Sequence, residues 1–193
     1  MTSTPPPPPQ VEPSSPPAQK LTTDVLPTLL TLSPDETVEL WLARTDRRNE
    51  PEHWVLQVRK PNADRCTFYD LSGGLPPSTY SRSRTEGKRF EHHLLPTRQK
   101  IGEIKAFEEV EVVRAALDSK ADHCQRYILG IIERLEEKEL VAKGTAKGFE
   151  FDVQMNLFEG PNKPVREATF KAWVKELGED KALNKLREFQ GFL

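Results

Sequence analysis

Cys124, Tyr127, Ile128, Ile131 and Leu135 recur at i, i+3, i+4, i+7 and i+11, while Arg126, Glu133, Glu136 and Glu137 take the other side. That spacing predicts an amphipathic helix with its apolar stripe against a sheet, and Cys124 stands at the head of the stripe. Asp122 or His123, just before it, is placed to cap the helix. The leading N–H groups and the positive end of the helix dipole favour a thiolate, lowering a thiol pKa from its free value of about 8.5. The same N–H groups suit the oxyanion that forms when a sulfur attacks a carbonyl. Asp122 works against the thiolate through its own charge. Read singly, a cysteine at a helix start also serves as a small buried apolar residue.

A cysteine nucleophile needs a base, and an imidazole with an ordinary pKa near 6.5 can hold the proton at neutral pH. His53 opens the clearest strand pattern of the chain, His53 to Val58, with Trp54, Leu56 and Val58 on one face and Val55 and Gln57 sharing the other with His53. The residue that orients the imidazole belongs on a neighbouring strand. Tyr69 and Asp70 are near in the expected hairpin, and His92 or His93 on the next strand is equally placed. Spacing leaves that choice open.

The elements that must position these groups follow from hydrophobic periodicity and turn residues. Val38 to Ala43 reads as a strand, Arg44 to Glu52 as a polar loop, and Pro61 to Asp64 as a turn leading to a return strand, Cys66 to Leu71. Ser72 to Thr85, rich in Gly, Pro, Ser and Arg, reads as a long exposed loop. Phe90 to Leu95 and Lys100 to Phe107 supply two more strand patterns, and Glu108 to Leu117 a helix carrying Val110, Val113, Ala116 and Leu117. Gly130 implies a close approach of the cysteine helix to the sheet. Phe149 to Phe158 alternates loosely as a strand, and Glu167 to Phe189 is helical with an interruption near Gly178. The fold class expected is α+β, an antiparallel sheet packed against the cysteine-bearing helix.

Composition sets the outer bounds. Of 193 residues, 36% are hydrophobic and 30% charged with a net charge of −2, which fits a soluble globular chain and excludes collagen-like and strongly nucleic-acid-steered classes. No apolar run can cross a bilayer. Met1 to Lys20 lacks a basic segment followed by an apolar one, so the cytoplasm is the expected compartment, with the nucleus beside it. Eight of the 17 prolines fall within the first 20 residues, making 1–20 a tail of polyproline II character. Residues 21–160 are then a single α+β domain and 161–193 a helical extension. Two cysteines and four histidines make neither a disulfide framework nor a zinc site, so no metal or cofactor is expected. Cys66, inside a strand, reads as a packing residue. Arg82, Arg84, Lys88 and Arg89, interleaved with Tyr80 and Phe90, read as a solvated loop rather than a nucleic-acid contact.

His53-Trp54 opening an early strand and Cys124-Gln125-Arg126-Tyr127 opening a later helix resemble the circularly permuted papain-like enzymes. These include the lecithin:retinol acyltransferase group and other NlpC-type proteins, in which the histidine strand precedes the cysteine helix. The similarity covers roughly residues 38 to 142, and small fungal proteins share a similar Cys-Gln-x-Tyr/Trp opening. The resemblance implies a catalytic role for Cys124 and His53 alone. The sequence departs from the acyltransferase pattern at His123, where Asn is usual, and at Arg126, two residues past the cysteine.

Two functions are expected from this reading. One is a thiol enzyme for acyl transfer, a hydrolase or acyltransferase acting on an acyl or peptide-like substrate. The other is a catalytically inactive module that binds a protein partner through the tail, the basic loop and the terminal helix with Phe170, Trp173, Val174 and Leu177.

Overall fold

A computed structural model describes residues 19–45, 52–73, 80–153, 163–178 and 181–182. Its strands are β1 (Gln19–Lys20), β2 (Thr37–Arg44), β3 (Trp54–Arg59), β4 (Arg65–Ser72), β5 (Ser81–Arg89) and β6 (Thr97–Lys105). They form one antiparallel sheet in the order β1-β5-β4-β3-β2-β6. The helices are α1 (Leu26–Leu29), α2 (Glu109–Asp118), α3 (Cys124–Glu137), α4 (Thr145–Glu150) and α5 (Lys163–Leu177). The architecture is α+β, as the alternation of patterns predicts.

Because successive side chains of a strand point to opposite faces, each strand contributes to two clusters. Leu40 and Leu42, Trp54, Leu56 and Val58, and Tyr69 and Leu71 face the helices. There they pack with Val112, Val113 and Ala116 of α2 and with Tyr127, Ile128, Ile131, Ile132 and Leu135 of α3. The opposite face carries a smaller cluster of Ala43, Val55, Cys66 and Phe68, closed by Phe90 and Leu95. Trp41 and Arg59 extend it, with the guanidinium 3.7 Å from the Phe90 ring centre. The larger cluster carries most of the hydrophobic stabilisation and fixes the sheet against α3.

Several sequence expectations are corrected. Ser81 to Thr85 is not exposed loop but the first half of β5, with Ser83, Arg84 and Thr85 buried. Hydrophobic patterning misses such a strand because its buried positions are polar and are stabilised by partners on β4 and α2. Phe90 to Leu95 is a turn rather than a strand; Phe90 and Leu95 are buried as a plug over the smaller cluster. The last strand starts earlier than expected, at Thr97, and gives way to a 3₁₀ turn at Ala106–Glu108. Phe149 belongs to α4, where its ring meets Trp54 edge-on at 6.3 Å, and the strand expected there does not form through Val153. The remainder of that expectation, 154–158, and residues 1–18 of the expected tail 1–20 lie outside the described residues, while Gln19–Lys20, also expected in the tail, pair with β5 as β1. The terminal helix begins at Lys163, earlier than the pattern indicates; its expected interruption falls at Gly178, which takes φ +81°, with helix again at 181–182. A side chain on Gly130 would meet Ser119 at 3.3 Å, so this glycine accommodates the α2–α3 connection and not the sheet.

Candidate active site

The site lies where the start of α3 meets the start of β3 and the end of β4. His123 is the cap of α3: its backbone is extended, its Nδ1 accepts the Arg126 N–H at 3.4 Å, and its carbonyl accepts the Tyr127 N–H at 2.8 Å. Asp122 instead pairs with Lys120 at 2.5 Å, which offsets the charge this carboxylate would bring to the helix start. Cys124 follows as the first helical residue and is half-buried.

The segment before β3 is tied to α3 through one carbonyl. Glu52 O accepts a hydrogen bond from Gln125 Nε2 at 2.8 Å, and the Cys124 sulfur lies 3.9 Å from the same oxygen. His53 is held by Thr45 on both sides of its peptide: its N–H donates to Thr45 Oγ1 at 2.8 Å and its carbonyl accepts the Thr45 N–H at 3.0 Å. Trp54 anchors the next residue. It is fully buried, with Arg44 stacked 4.7 Å over its ring.

The imidazole so placed meets one carboxylate and lies near the thiol. Its Nε2 is 3.4 Å from Asp70 Oδ2, and the Cys124 side chain is near enough to influence its charge. Burial alone pushes the imidazole pKa down, but the hydrogen bonds and charges of Asp70 and Cys124 outweigh it and raise the value to about 9. Both groups thus favour the protonated ring. Asp70 is held from its other side, because Oδ1 accepts the hydroxyl of the buried Ser83. Ser83, Asp70 and His53 thus form a linked chain, and Cys124 stands beside it on the Glu52 carbonyl.

Of the four site residues expected from the sequence, His53 and Asp70 meet, and Cys124 reaches the carbonyl of Glu52 next to His53. His93 does not join them. It is exposed and stacks on His92 with ring centres 4.7 Å apart, and His92 in turn contacts Phe68. The physical reason is strand order: β3 is flanked by β2 and β4, and 90–95 is a turn rather than a neighbouring strand. Tyr69, the other alternative, faces the helices and donates its hydroxyl to Glu109 Oε1 at 2.5 Å.

Ser83, Thr45 and Gln125 were not found by sequence reasoning. For Gln125 there is a signal, a polar residue on the buried side of the helix next to the cysteine. Ser83 and Thr45 leave none, since their partners are distant in sequence. Tyr127, one turn beyond Cys124, is fully buried and its hydroxyl has no hydrogen-bond partner among the described residues. Burial pushes its pKa up; the Arg82 charge opposes this and the Asp70 charge adds to it.

Two of the basic residues of β5, Arg82 and Arg84, have internal partners. Arg82 donates to the Ser119 carbonyl at 2.8 Å, and Arg84 is buried against Tyr69 and Glu109. Among the described residues no group of three His, Cys, Asp or Glu side chains is placed to hold a metal ion. No described helix is long and apolar enough to cross a membrane. Comparisons of the chain with protein-family models, with curated proteins and with solved structures find no match.

Proposed function

We propose that this protein is a thiol-dependent acyl-transfer enzyme, a hydrolase or acyltransferase of permuted papain-like organisation, with Cys124 as nucleophile and His53 as acid and base. The observation that carries the reading is the His53 imidazole held against Asp70, with Cys124 at the start of a long helix beside it, its sulfur 3.9 Å from the carbonyl of Glu52, the residue before His53. The order of His53 strand, Asp70 strand and Cys124 helix along the chain supports the permuted assignment.

In this mechanism His53 holds the proton and Cys124 attacks the carbonyl carbon of an acyl or peptide-like substrate. The S–C bond forms as the carbonyl π pair moves to oxygen, and the leading N–H groups of α3 stabilise that oxyanion. The oxyanion collapses, the bond to the leaving amine or alkoxide breaks, and His53 gives its proton to the leaving group. Water or another hydroxyl or amine then loses a proton to His53 and attacks the thioester, releasing the acyl group and returning the sulfur. Asp70 keeps the ring oriented and stabilises its positive charge, and Ser83 fixes Asp70.

Thiol labelling tests the reading. At pH 6, iodoacetamide is expected to modify Cys124 and not Cys66, and His53→Ala is expected to remove the preference. Equal, slow labelling of both cysteines at pH 6 would falsify the enzyme reading and favour a binding module built on the same frame.

A further inference from the structure

β4 and β5 change step partway along their pairing. Arg65 opposes Arg89 and Cys66 opposes Lys88, but beyond Thr67 the partners are Phe68 with Thr85, Tyr69 with Arg84 and Asp70 with Ser83. Two residues of β5, Glu86 and Gly87, therefore stand against Thr67 alone. Gly87 takes φ +69°, the left-handed conformation that marks a glycine bulge. Had the first register continued, Asp70 would oppose Arg84 and Leu71 would oppose Ser83. The carboxylate that orients His53 would then face a guanidinium, and its serine partner would be one residue away.

Past the bulge a buried cluster holds the new register. Tyr69 and Arg84, now opposite one another, both reach Glu109 at the start of α2. The Tyr69 hydroxyl donates to Glu109 Oε1 at 2.5 Å, Arg84 Nη2 donates to the same oxygen at 3.1 Å, and Arg84 Nε donates to the Tyr69 oxygen at 3.0 Å. All three residues are under one-tenth exposed. A one-residue slip would turn Arg84 away from the helices and leave Glu109 buried without its cation, which is strongly destabilising. Stability alone does not call for such ions, because apolar side chains of similar volume commonly fill the same space as well. What directional bonds add is a register, and the register decides what Asp70 faces.

We propose that the Gly87 bulge and the Tyr69–Arg84–Glu109 cluster form a register device that sets Ser83, and not Arg84, against Asp70. The inference rests on the reading of Asp70 as the group that orients His53. Tyr69, Arg84 and Glu109 are in this sense positioning residues: they act on the site only through the β4–β5 pairing.

The experiment uses the full chain with Tyr69→Phe, Arg84→Met and Glu109→Leu combined, and Tyr69→Phe alone. Three quantities are followed: thermal unfolding, the His53 titration by NMR, and the pH profile of Cys124 alkylation by iodoacetamide. The triple variant is expected to unfold cooperatively while the His53 midpoint falls from about 9 toward its ordinary 6.5. Alkylation at pH 8 then drops about tenfold, because most imidazoles have lost their proton there. Tyr69→Phe is expected to move the midpoint less and in the same direction. An unmoved His53 titration in a folded triple variant overturns the proposal. If the triple variant does not fold, an unmoved titration in Tyr69→Phe overturns it instead. Should wild-type Cys124 alkylate no faster than a free thiol while the His53 titration still moves, the enzyme reading fails and the register device stands.

Discussion

The two cysteines of this chain are the same functional group in opposite surroundings. Cys66 sits inside β4 among Ala43, Val55 and Phe68, its thiol donating to the Lys88 carbonyl at 3.6 Å. Burial there outweighs the nearby Arg59 and Arg98 charges and pushes its pKa up to about 12. Cys124 is half-buried at the start of a 14-residue helix, near an imidazole whose pKa is raised to about 9. The contrast teaches that surroundings, and not the thiol itself, set how readily a cysteine ionises: a helix start and a nearby imidazole favour the thiolate. A strand interior offers no such helix start, since its N–H groups are spent on the ladder, and around Cys66 the Arg59 and Arg98 charges do not offset burial.

The sharpest way to break the comparison is to exchange the roles by mutation. Cys124→Ala is expected to abolish acyl transfer and pH 6 labelling altogether, whereas Cys66→Ala leaves both, as read by mass spectrometry of the labelled peptides. Next in size, His53→Ala is expected to lower acyl-transfer rates by about 10²- to 10⁴-fold, the usual contribution of a positioned acid and base. A steady-state assay with a thioester or ester substrate reads this loss, and a decrease under threefold would remove His53 from the chemistry.

Asp70→Asn sharpens the electrostatic half of the contrast. The His53 pKa is raised in the folded protein from 6.5 to about 9, so proton binding favours the folded state. That contribution is fully present below pH 6.5, declines between 6.5 and 9, and is gone above. The unfolding temperature of the wild type is therefore expected to fall across that window, and Asp70→Asn to flatten the fall. Identical pH profiles for the two proteins would show that Asp70 does not hold the ring charged. The smallest effect belongs to the packing cysteine: Cys66→Ala costs about 1 kcal/mol of stability in denaturant titration, the loss of one small buried group, with no change in pH dependence.

Much of this arrangement is legible in the chain itself. The α3 stripe, the His53 to Val58 strand and the hairpin to Leu71 have periodicities of 3.6 and 2 that survive any context, and they bring Cys124, His53 and Asp70 forward as candidates. β5 is not legible, because its buried residues are Ser83, Arg84 and Thr85, and a polar run reads as loop until its partners are known. The same blindness hides Ser83 as the second partner of Asp70. It also leaves His93 level with Asp70, since only the strand order shows which neighbour β3 has. The turn at 90–95 fails differently: Phe90 and Leu95 are buried as a strand would bury them, but as a plug.

Local pattern alone determined an α+β chain with a cysteine at the head of an amphipathic helix and a histidine at the mouth of a strand, because burial of an apolar face imposes its period on neighbouring residues. The tertiary structure decided the rest. That Thr45 and Gln125 fasten the His53 segment, that Asp70 and not His93 meets the imidazole, and that a bulge at Gly87 brings Ser83 opposite Asp70 are matters of polar partnership between distant residues. Such partnerships carry no period, since a hydrogen bond specifies two atoms and says nothing of the residues between them.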